Sequence, residues 1–527
     1  MEIRKTVSLL GLLIFTQLII FAPHVGTGFV TDDFIWLGNV VTNGEVDCLK
    51  PFSITTGFYR PMVSLTFGLQ YRLHGMNAGP YGWFNLFLHL LNVILVFLLF
   101  STIEVSRPYS LAAAALFAFN VKGNIMAVGW ISGRTTLLFT FFMLISLLSY
   151  VKLRRQPPKH GQKPNLKRIL LHISAALFYL AALLSKETAL AAPVFVFLFS
   201  FFIQNTGDKT SLQKARTAFL STLVFLLPLL LYCVLRIKSN AIDPFNAPDI
   251  YRYTLAPGVI LKNLWEYITR AAVLDILIIV WLAAVVLVSH GKLKSAEKID
   301  GKTLIPGLGW FLCFLLTVLP LPVRSDIYVY FPQVGLHLMS LVLIFYLWKK
   351  IKKTKAVLLP LILIIFAWIG YFYVRAGISA EKGKSSVVFT RQVVQAVSKM
   401  KTGSRIFIVD MDRDKRYSPT GTVAYGFASL LNLYYPHKRF TGEIIPPGKV
   451  AQIKCNKNSL NFFFREKGQL AGPLNCTGLR DFMLFYFGPH MNLQQTEERT
   501  EKTEVKRLYR LKKRKMRLKR QKKRLPR

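Results

Sequence analysis

Eleven apolar runs fall within the first 375 residues, and they constrain the fold more than any other feature. They lie at about 6–22, 84–101, 109–121, 135–151, 168–184, 189–203, 217–235, 271–289, 305–320, 334–348 and 355–375. At about 1.5 Å per helical residue, runs of this kind are built to cross a hydrocarbon layer of about 30 Å. The chain has 527 residues, of which 52% are hydrophobic and only 18% charged, a balance that excludes both a disordered protein and an ordinary soluble enzyme. The expected fold is a polytopic α-helical membrane protein of about eleven transmembrane helices. The first run follows Met1–Lys5 and resembles a signal peptide, but its small-residue cleavage pattern is poor, so it reads as a retained anchor.

Loop charge sets the expected orientation, because Lys and Arg accumulate on the cytoplasmic side. With the amino terminus inside, the basic loops at 152–168, 209–216, 292–302 and 349–355 are all inside as well. The other face receives residues 23–82, the turn at 122–134, the junction at 185–188, the stretch 236–270, the segment 321–333 and everything after about residue 376.

That outer face gathers the polar chemistry. Asp32 and Asp33 lie directly beyond the first span, and two adjacent carboxylates at an apolar surface need a partner or a task. Either Thr31 or Asp32 caps a short interfacial helix, or one carboxylate takes the proton of an incoming hydroxyl. Tyr59-Arg60-Pro61, Gly133-Arg134, Ser185-Lys186-Glu187 and Arg324 with Tyr328 complete the layer. Each cation alone could simply reach toward lipid headgroups, whereas four on one layer form a site for a phosphate held at the membrane surface. Glu187 either holds Lys186 in place or closes a helix turn. Asp32 and Asp33 could hold a divalent cation, although no third ligand is evident and no metal site is assigned. His74 and His89 read as side chains satisfied by neighbours.

After the last span the texture changes. Residues 387–400 have helical apolar spacing, 405–410 form a β-branched run ending in an acid, 422–434 read as helical, and 462–464 and 483–487 read as strands. The expected organisation is a transmembrane domain at 1–375, a small extracytoplasmic α/β domain at 376–491 and a basic tail at 492–527. Asp410, Asp412 and Asp414 at a strand end form either a solvated loop or a place for a cation or sugar hydroxyl. Cys233 and Cys313 fall within spans as small packing residues. Cys455 and Cys476 both lie in the outer region, where an oxidising compartment favours their pairing as a disulfide, with Cys48 as a competitor. The tail holds 14 Lys or Arg between Lys506 and Arg527 without an acid, a large share of the overall net charge of +42. Outside the cytoplasm such a run meets an anionic envelope surface of lipid or polysaccharide rather than nucleic acid.

The order of several short blocks resembles the GT-C superfamily of polytopic glycosyltransferases. These are Asp32-Asp33, Tyr59-Arg60-Pro61, Leu73-His74-Gly75-Met76-Asn77 leading to Asn85 through Asn92, Ala127 through Arg134, Leu184 through Thr188, and Arg324 through Tyr328, Tyr330, Pro332 and Gly335. The nearest likeness is to protein O-mannosyltransferase-like enzymes and the TPR-containing transmembrane mannosyltransferases, without their repeat array. The resemblance covers roughly residues 1–375. It implies a GT-C-like fold, a polyprenyl-phosphate sugar as donor and a protein, lipid or glycan acceptor on the outer face. It also implies Asp33 or Asp32 as catalytic base, while Arg60, Arg134, Lys186 and Arg324 are candidates for the donor phosphate, supported by Glu187, Tyr59 and Tyr328. Val121 through Met126 stand where relatives carry a His-Pro-x-His-x-Glu run, and Thr135 and Thr136 follow Arg134 where an acid is common. The expected reaction is a single inverting displacement, and the expected location a bacterial inner membrane. A lipid-linked sugar flippase and an inactive accessory protein are the alternatives.

Overall fold

The computed structural model of the protein describes residues 2–43, 58–103, 106–155, 165–202, 210–239, 241, 252–288, 301–351, 354–410, 423, 426–445, 460–466 and 469–474. Cys48, Cys455, Cys476, Asp412, Asp414, the expected strand at 483–487 and the basic tail lie outside these residues.

The helices in chain order begin with α1 (Glu2–Phe21), α2 (Asp32–Asn43), α3 (Pro61–His74), α4 (Ala78–Thr102), α5 (Arg107–Ala118), α6 (Val121–Gly129), α7 (Arg134–Arg154) and α8 (Leu166–Leu183). They continue with α9 (Ala192–Phe202), α10 (Ser211–Lys238), α11 (Pro257–Ala271), α12 (Val273–Val288), α13 (Gly301–Leu315), α14 (Gln333–Lys350), α15 (Thr354–Val397) and α16 (Phe427–Tyr434). Each of the eleven apolar runs is thus helical over most of its described residues. Six helices are long and apolar enough to cross a membrane, or eight if the bent pairs α5/α6 and α11/α12 each count as one span, so the molecule is an integral membrane protein. The count of eleven is not reached on length and composition among the described residues. Helix α9 has only 11 residues and α13 only 15, and α14 carries Gln333, His337, Lys349 and Lys350.

The chain divides into two compact units, one of residues 1–29 and 39–383, the other of residues 30–38 and 384 onward. Within the first, α7 packs against α8 and α4, and 78% of its apolar window is buried. Between its charged ends at Arg134 and at Lys152 and Arg154, helix α7 is apolar on all sides apart from Ser, Thr and Tyr150, as a helix enclosed by other helices must be. Its Ser146 hydroxyl donates to Ala175 O and its Tyr150 hydroxyl meets Ser200 Oγ at 2.6 Å, so even its polar groups find partners inside. Helices α13 and α14 cross where two glycines face each other. A Cβ on Gly335 would lie 2.4 Å from Gly307 O and 2.7 Å from Trp310 Cβ, closer than any side chain permits. That approach lets Trp310 Nε1 donate to Phe331 O at 3.0 Å within a cluster of Phe139, Phe195, Phe314 and Phe331. The residues expected as a span at 355–375 and most of those expected as a separate helix at 387–400 form one continuous α15 that ends at Val397, and it tolerates Gly377 and Gly383 because small residues there admit His24 and Thr27. Thr27 Oγ1 donates to Ala380 O at 3.0 Å.

The second unit contains a four-stranded sheet of β1 (Arg405–Asp410), β2 (Thr441–Ile445), β3 (Leu460–Glu466) and β4 (Gln469–Leu474) in the order β2-β1-β3-β4. Strand β1 pairs in parallel with β2 and β3, and β3 pairs antiparallel with β4. As the central strand, β1 buries Ile406 through Asp410, which fits a continuous apolar run better than an alternating one. Residues 30–38 lie against this unit's α16 segment, with Gly426 against Thr31 O and Gly38 against Ser429.

Replacing Gly335 by Val should destabilise the full chain by about 1–3 kcal/mol through overpacking at the α13/α14 crossing. Gly11→Ala, where no atom lies within 4 Å of the added Cβ, should be neutral. Thermal unfolding of both variants in the same detergent checks this, and equal melting temperatures would remove the crossing argument.

Candidate functional site

The cations nominated by sequence belong to the first unit, and the structure gives them different surroundings. Arg60 sits at the N-cap of α3, with Pro61 fixing the first helical residue. Met62 N donates to Leu184 O at 3.2 Å, which ties the start of α3 to the end of α8. This brings Arg60 to Glu187, at the start of the short 3₁₀ turn Glu187–Ala191. Arg60 Nη2 donates to Glu187 Oε2 at 2.7 Å and Nε reaches both carboxylate oxygens at 3.2 and 3.3 Å, a forked pair. Glu187 Oε1 is 3.0 Å from Arg236 Nη1, and the same Arg236 nitrogen donates to Tyr232 Oη at 2.6 Å. The carboxylate therefore bridges two guanidinium groups.

Lys186 points elsewhere. It is 8% exposed, its Nζ donates to Thr136 Oγ1 at 2.6 Å, and the ammonium stands 5.3 Å from the centre of the Tyr328 ring. Burial, with Arg60 as a second cause, lowers the Lys186 pKa to about 7, against a smaller opposing effect of Glu187. Three cations around one carboxylate leave a surplus of two positive charges when Lys186 is protonated. Such a cluster is held in place by Glu187 yet still attracts an anion. Tyr59 is buried nearby, its ring centre 6.3 Å from that of Tyr232.

Arg134 and Arg324 lie in other arrangements. Arg134 opens α7 with no exposed surface, donating from Nε to Asn85 Oδ1 at 3.2 Å and from Nη2 to Tyr81 O at 3.1 Å. Its guanidinium is enclosed by Phe67 at 4.6 Å and Phe84 at 4.9 Å, and Asn85 in turn donates to Trp130 O and Ile131 O. This is a clamp between α4 and the turn leading into α7. Arg324 pairs with Glu266 at 2.9 Å, and Arg270 pairs with both Glu266 and Asp326 at 2.7 and 2.9 Å. Tyr328 links the two neighbourhoods, since its ring also lies 6.3 Å from Tyr267 at the base of Arg270.

Asp32 and Asp33 open α2 in the second unit. Asp33 is fully buried and its Oδ2 accepts from Val30 N at 2.8 Å, while Thr31 takes a left-handed φ of 45°. The helix thus begins where the capping reading put it, but the residue that reaches back is Asp33. Asp410 is buried at the end of β1. Among the described residues no three His, Cys, Asp or Glu side chains are arranged to hold a metal ion.

Sequence reasoning missed several residues. Arg236, Tyr232, Glu266, Arg270 and Asp326 complete the ion-pair networks, and only Glu266 and Arg270 carried a local signal, their i,i+4 spacing. Asp275 and His337, one acid and one imidazole within apolar runs, are paired at 2.9 Å and each 1% exposed. His89 is satisfied as expected, with Nδ1 2.7 Å from Tyr330 Oη and Nε2 3.3 Å from Gln17 Oε1.

No protein family model matches the chain. Over 189 residues it is 32% identical to the protein O-mannosyl-transferase Tmtc1 of Drosophila melanogaster, a stretch covering 33% of this chain and 20% of that protein. It is 29% identical over 155 residues to the protein O-mannosyl-transferase TMTC1 of Homo sapiens, covering 29% and 18%. The matched stretch thus spans about a fifth of the length of these curated relatives. Among solved structures, ArnT of Cupriavidus metallidurans bound to undecaprenyl phosphate aligns with a TM-score of 0.49 and 11% identity over 88% of this chain and 93% of that one. The apo oligosaccharyltransferase of Archaeoglobus fulgidus aligns with a TM-score of 0.49 and 10% identity, covering 84% and 64%. In sequence, over about a third of its length, the chain resembles the TMTC-type protein O-mannosyltransferases.

Proposed function

We propose that the chain is a membrane glycosyltransferase that moves a sugar from a polyprenyl-phosphate donor to a protein, lipid or glycan acceptor on the non-cytoplasmic side. The observation that supports this best is the pairing of Arg60 and Arg236, 176 residues apart, on the one Glu187 carboxylate, with Lys186 next to it in the chain. The sequence similarity to protein O-mannosyltransferases points the same way.

The reaction asks little of the protein beyond position and charge. The acceptor hydroxyl oxygen attacks the sugar C1, the bond from C1 to the phosphate oxygen breaks, and configuration inverts in that one displacement. The departing lipid phosphate gains negative charge, which Arg60 and Lys186 stabilise, while Arg236 shares Glu187 and keeps the carboxylate from neutralising either one fully. Asp33 takes the hydroxyl proton. Arg134 contributes through the frame it clamps, and Arg324 through the Tyr328 segment that stacks on Lys186.

Asp33→Asn should abolish sugar transfer with expression unchanged, and Asp32→Asn should reduce it. Transfer at full rate from reconstituted protein carrying both changes would remove the base assignment. Neutralising Arg60 or Lys186 to Gln should each weaken donor affinity by roughly tenfold, the loss of one charge-assisted hydrogen bond. A donor affinity indifferent to both changes would reject the phosphate site.

Lys186 also sets a pH dependence. Its pKa is lowered to about 7, so the ammonium is present below neutral pH and is lost above it. The donor is a phosphodiester and stays charged across this range. Donor affinity should therefore be highest below pH 7 and fall as pH rises, and Lys186→Arg should flatten that fall. Equilibrium binding of the donor between pH 6 and 9 is the measurement.

A further inference from the structure

The Asp275–His337 pair is not used by the reaction proposed above. Asp275 is in the first turn of α12 and His337 in the second turn of α14. His337 Nδ1 lies 2.9 and 3.1 Å from the two Asp275 oxygens, so Nδ1–H donates to the carboxylate. The other ring nitrogen, Nε2, is buried and meets no hydrogen-bond partner. An ionisable pair inside a membrane helix bundle is costly and is kept there for a task, and a buried polar atom without a partner asks for one.

A cavity supplies the room. His337 and Asp275 line a space of about 140 Å³ together with Asn120 and Lys122 at the start of α6, Arg270 at the end of α11, and Trp368 and Tyr371 on α15. That volume accommodates a phosphate group but no whole sugar-lipid headgroup. The polar groups on its wall are unequal. Asn120 Nδ2 is spent on Arg270 O and Ala271 O, and Arg270 is engaged by Glu266 and Asp326. Lys122 is exposed and forms no hydrogen bond or ion pair among the described residues. The uncommitted groups are thus the Lys122 ammonium, His337 Nε2 and the Tyr371 hydroxyl. None of the residues of the Glu187 cluster lines this cavity.

We propose that this cavity is a second anion site, which binds a lipid-borne phosphate group between His337 Nε2 and the Lys122 ammonium. With Nδ1–H held on Asp275, Nε2 presents a lone pair to the cavity, which accepts the P–OH of a singly ionised phosphate monoester. Lys122 supplies the point charge. The lipid source follows from the remaining wall. Trp368 and Tyr371 belong to α15, whose apolar window is only 11% buried, and Tyr371 is itself exposed, so the cavity borders a helix face that lies toward hydrocarbon.

Native mass spectrometry of the full chain, titrated with phosphatidic acid and with diacylglycerol of the same acyl composition, tests this. The intact protein should prefer the phosphatidic acid. Lys122→Gln and His337→Gln should each weaken that preference by roughly tenfold, and Arg60→Gln should leave it in place. If inorganic phosphate displaces the lipid from the intact protein but not from Lys122→Gln, the phosphate site stands and a soluble source also reaches it. Equal binding of the two lipids, or a preference unchanged in Lys122→Gln, overturns the proposal. Lys122 is exposed, so this arm decides even if His337→Gln fails to fold. Because Arg60 takes no part, loss of this preference and loss of donor binding are separately visible.

Discussion

In a hydrocarbon environment no water arrives to satisfy a stray charge, so an ionised side chain buried within the bundle must find its partner within the protein. That constraint organises the first unit. Glu187 is shared between Arg60 and Arg236, Glu266 between Arg270 and Arg324, and Asp275 is closed against His337. Each carboxylate ties together segments distant in sequence, and in doing so fixes where the excess positive charge remains. The candidate donor site is a consequence of that pairing. One acid among three cations holds them together without cancelling them.

The uncharged polar groups obey the same rule at lower cost. Asn85 donates to two carbonyls left open where the chain turns into α7, and its own carbonyl accepts from Arg134. Asn120 and Asn263 perform the same service for the ends of α11 and the segment after α13. The helix bundle is stitched at its breaks by amide side chains, which is where the backbone loses its own hydrogen bonds. Close approach of helix surfaces, as at Gly307 and Gly335, supplies the packing between those stitches.

Much of this was legible in the residues. Eleven apolar runs correspond to eleven helices, and the apolar run Ile406–Val409 ending in Asp410 is the central strand of the sheet. Arg60 and Glu187, nominated from their place at span ends, pair directly, while the Lys186 ammonium reaches Thr136. Arg134 and Arg324, nominated on the same grounds, turn to other partners, because position at a span end fixes depth but not direction around the bundle. Asp275 and His337 lay inside apolar runs, where one polar residue gives no periodic signal. Their partners come from helices tens of residues away.

The sequence by itself determined that this is a helical membrane protein with its acids and several of its cations gathered near the ends of its spans. Hydrophobic run length and loop charge are local properties, and they report directly on transfer free energy. Only the tertiary structure decided which charges share a carboxylate, that residues 30–38 join the sheet-bearing unit, and that Lys122 and His337 line one cavity. Those outcomes depend on how helices rotate and cross, which is set by packing summed over many residues and by the internal satisfaction of every buried polar group.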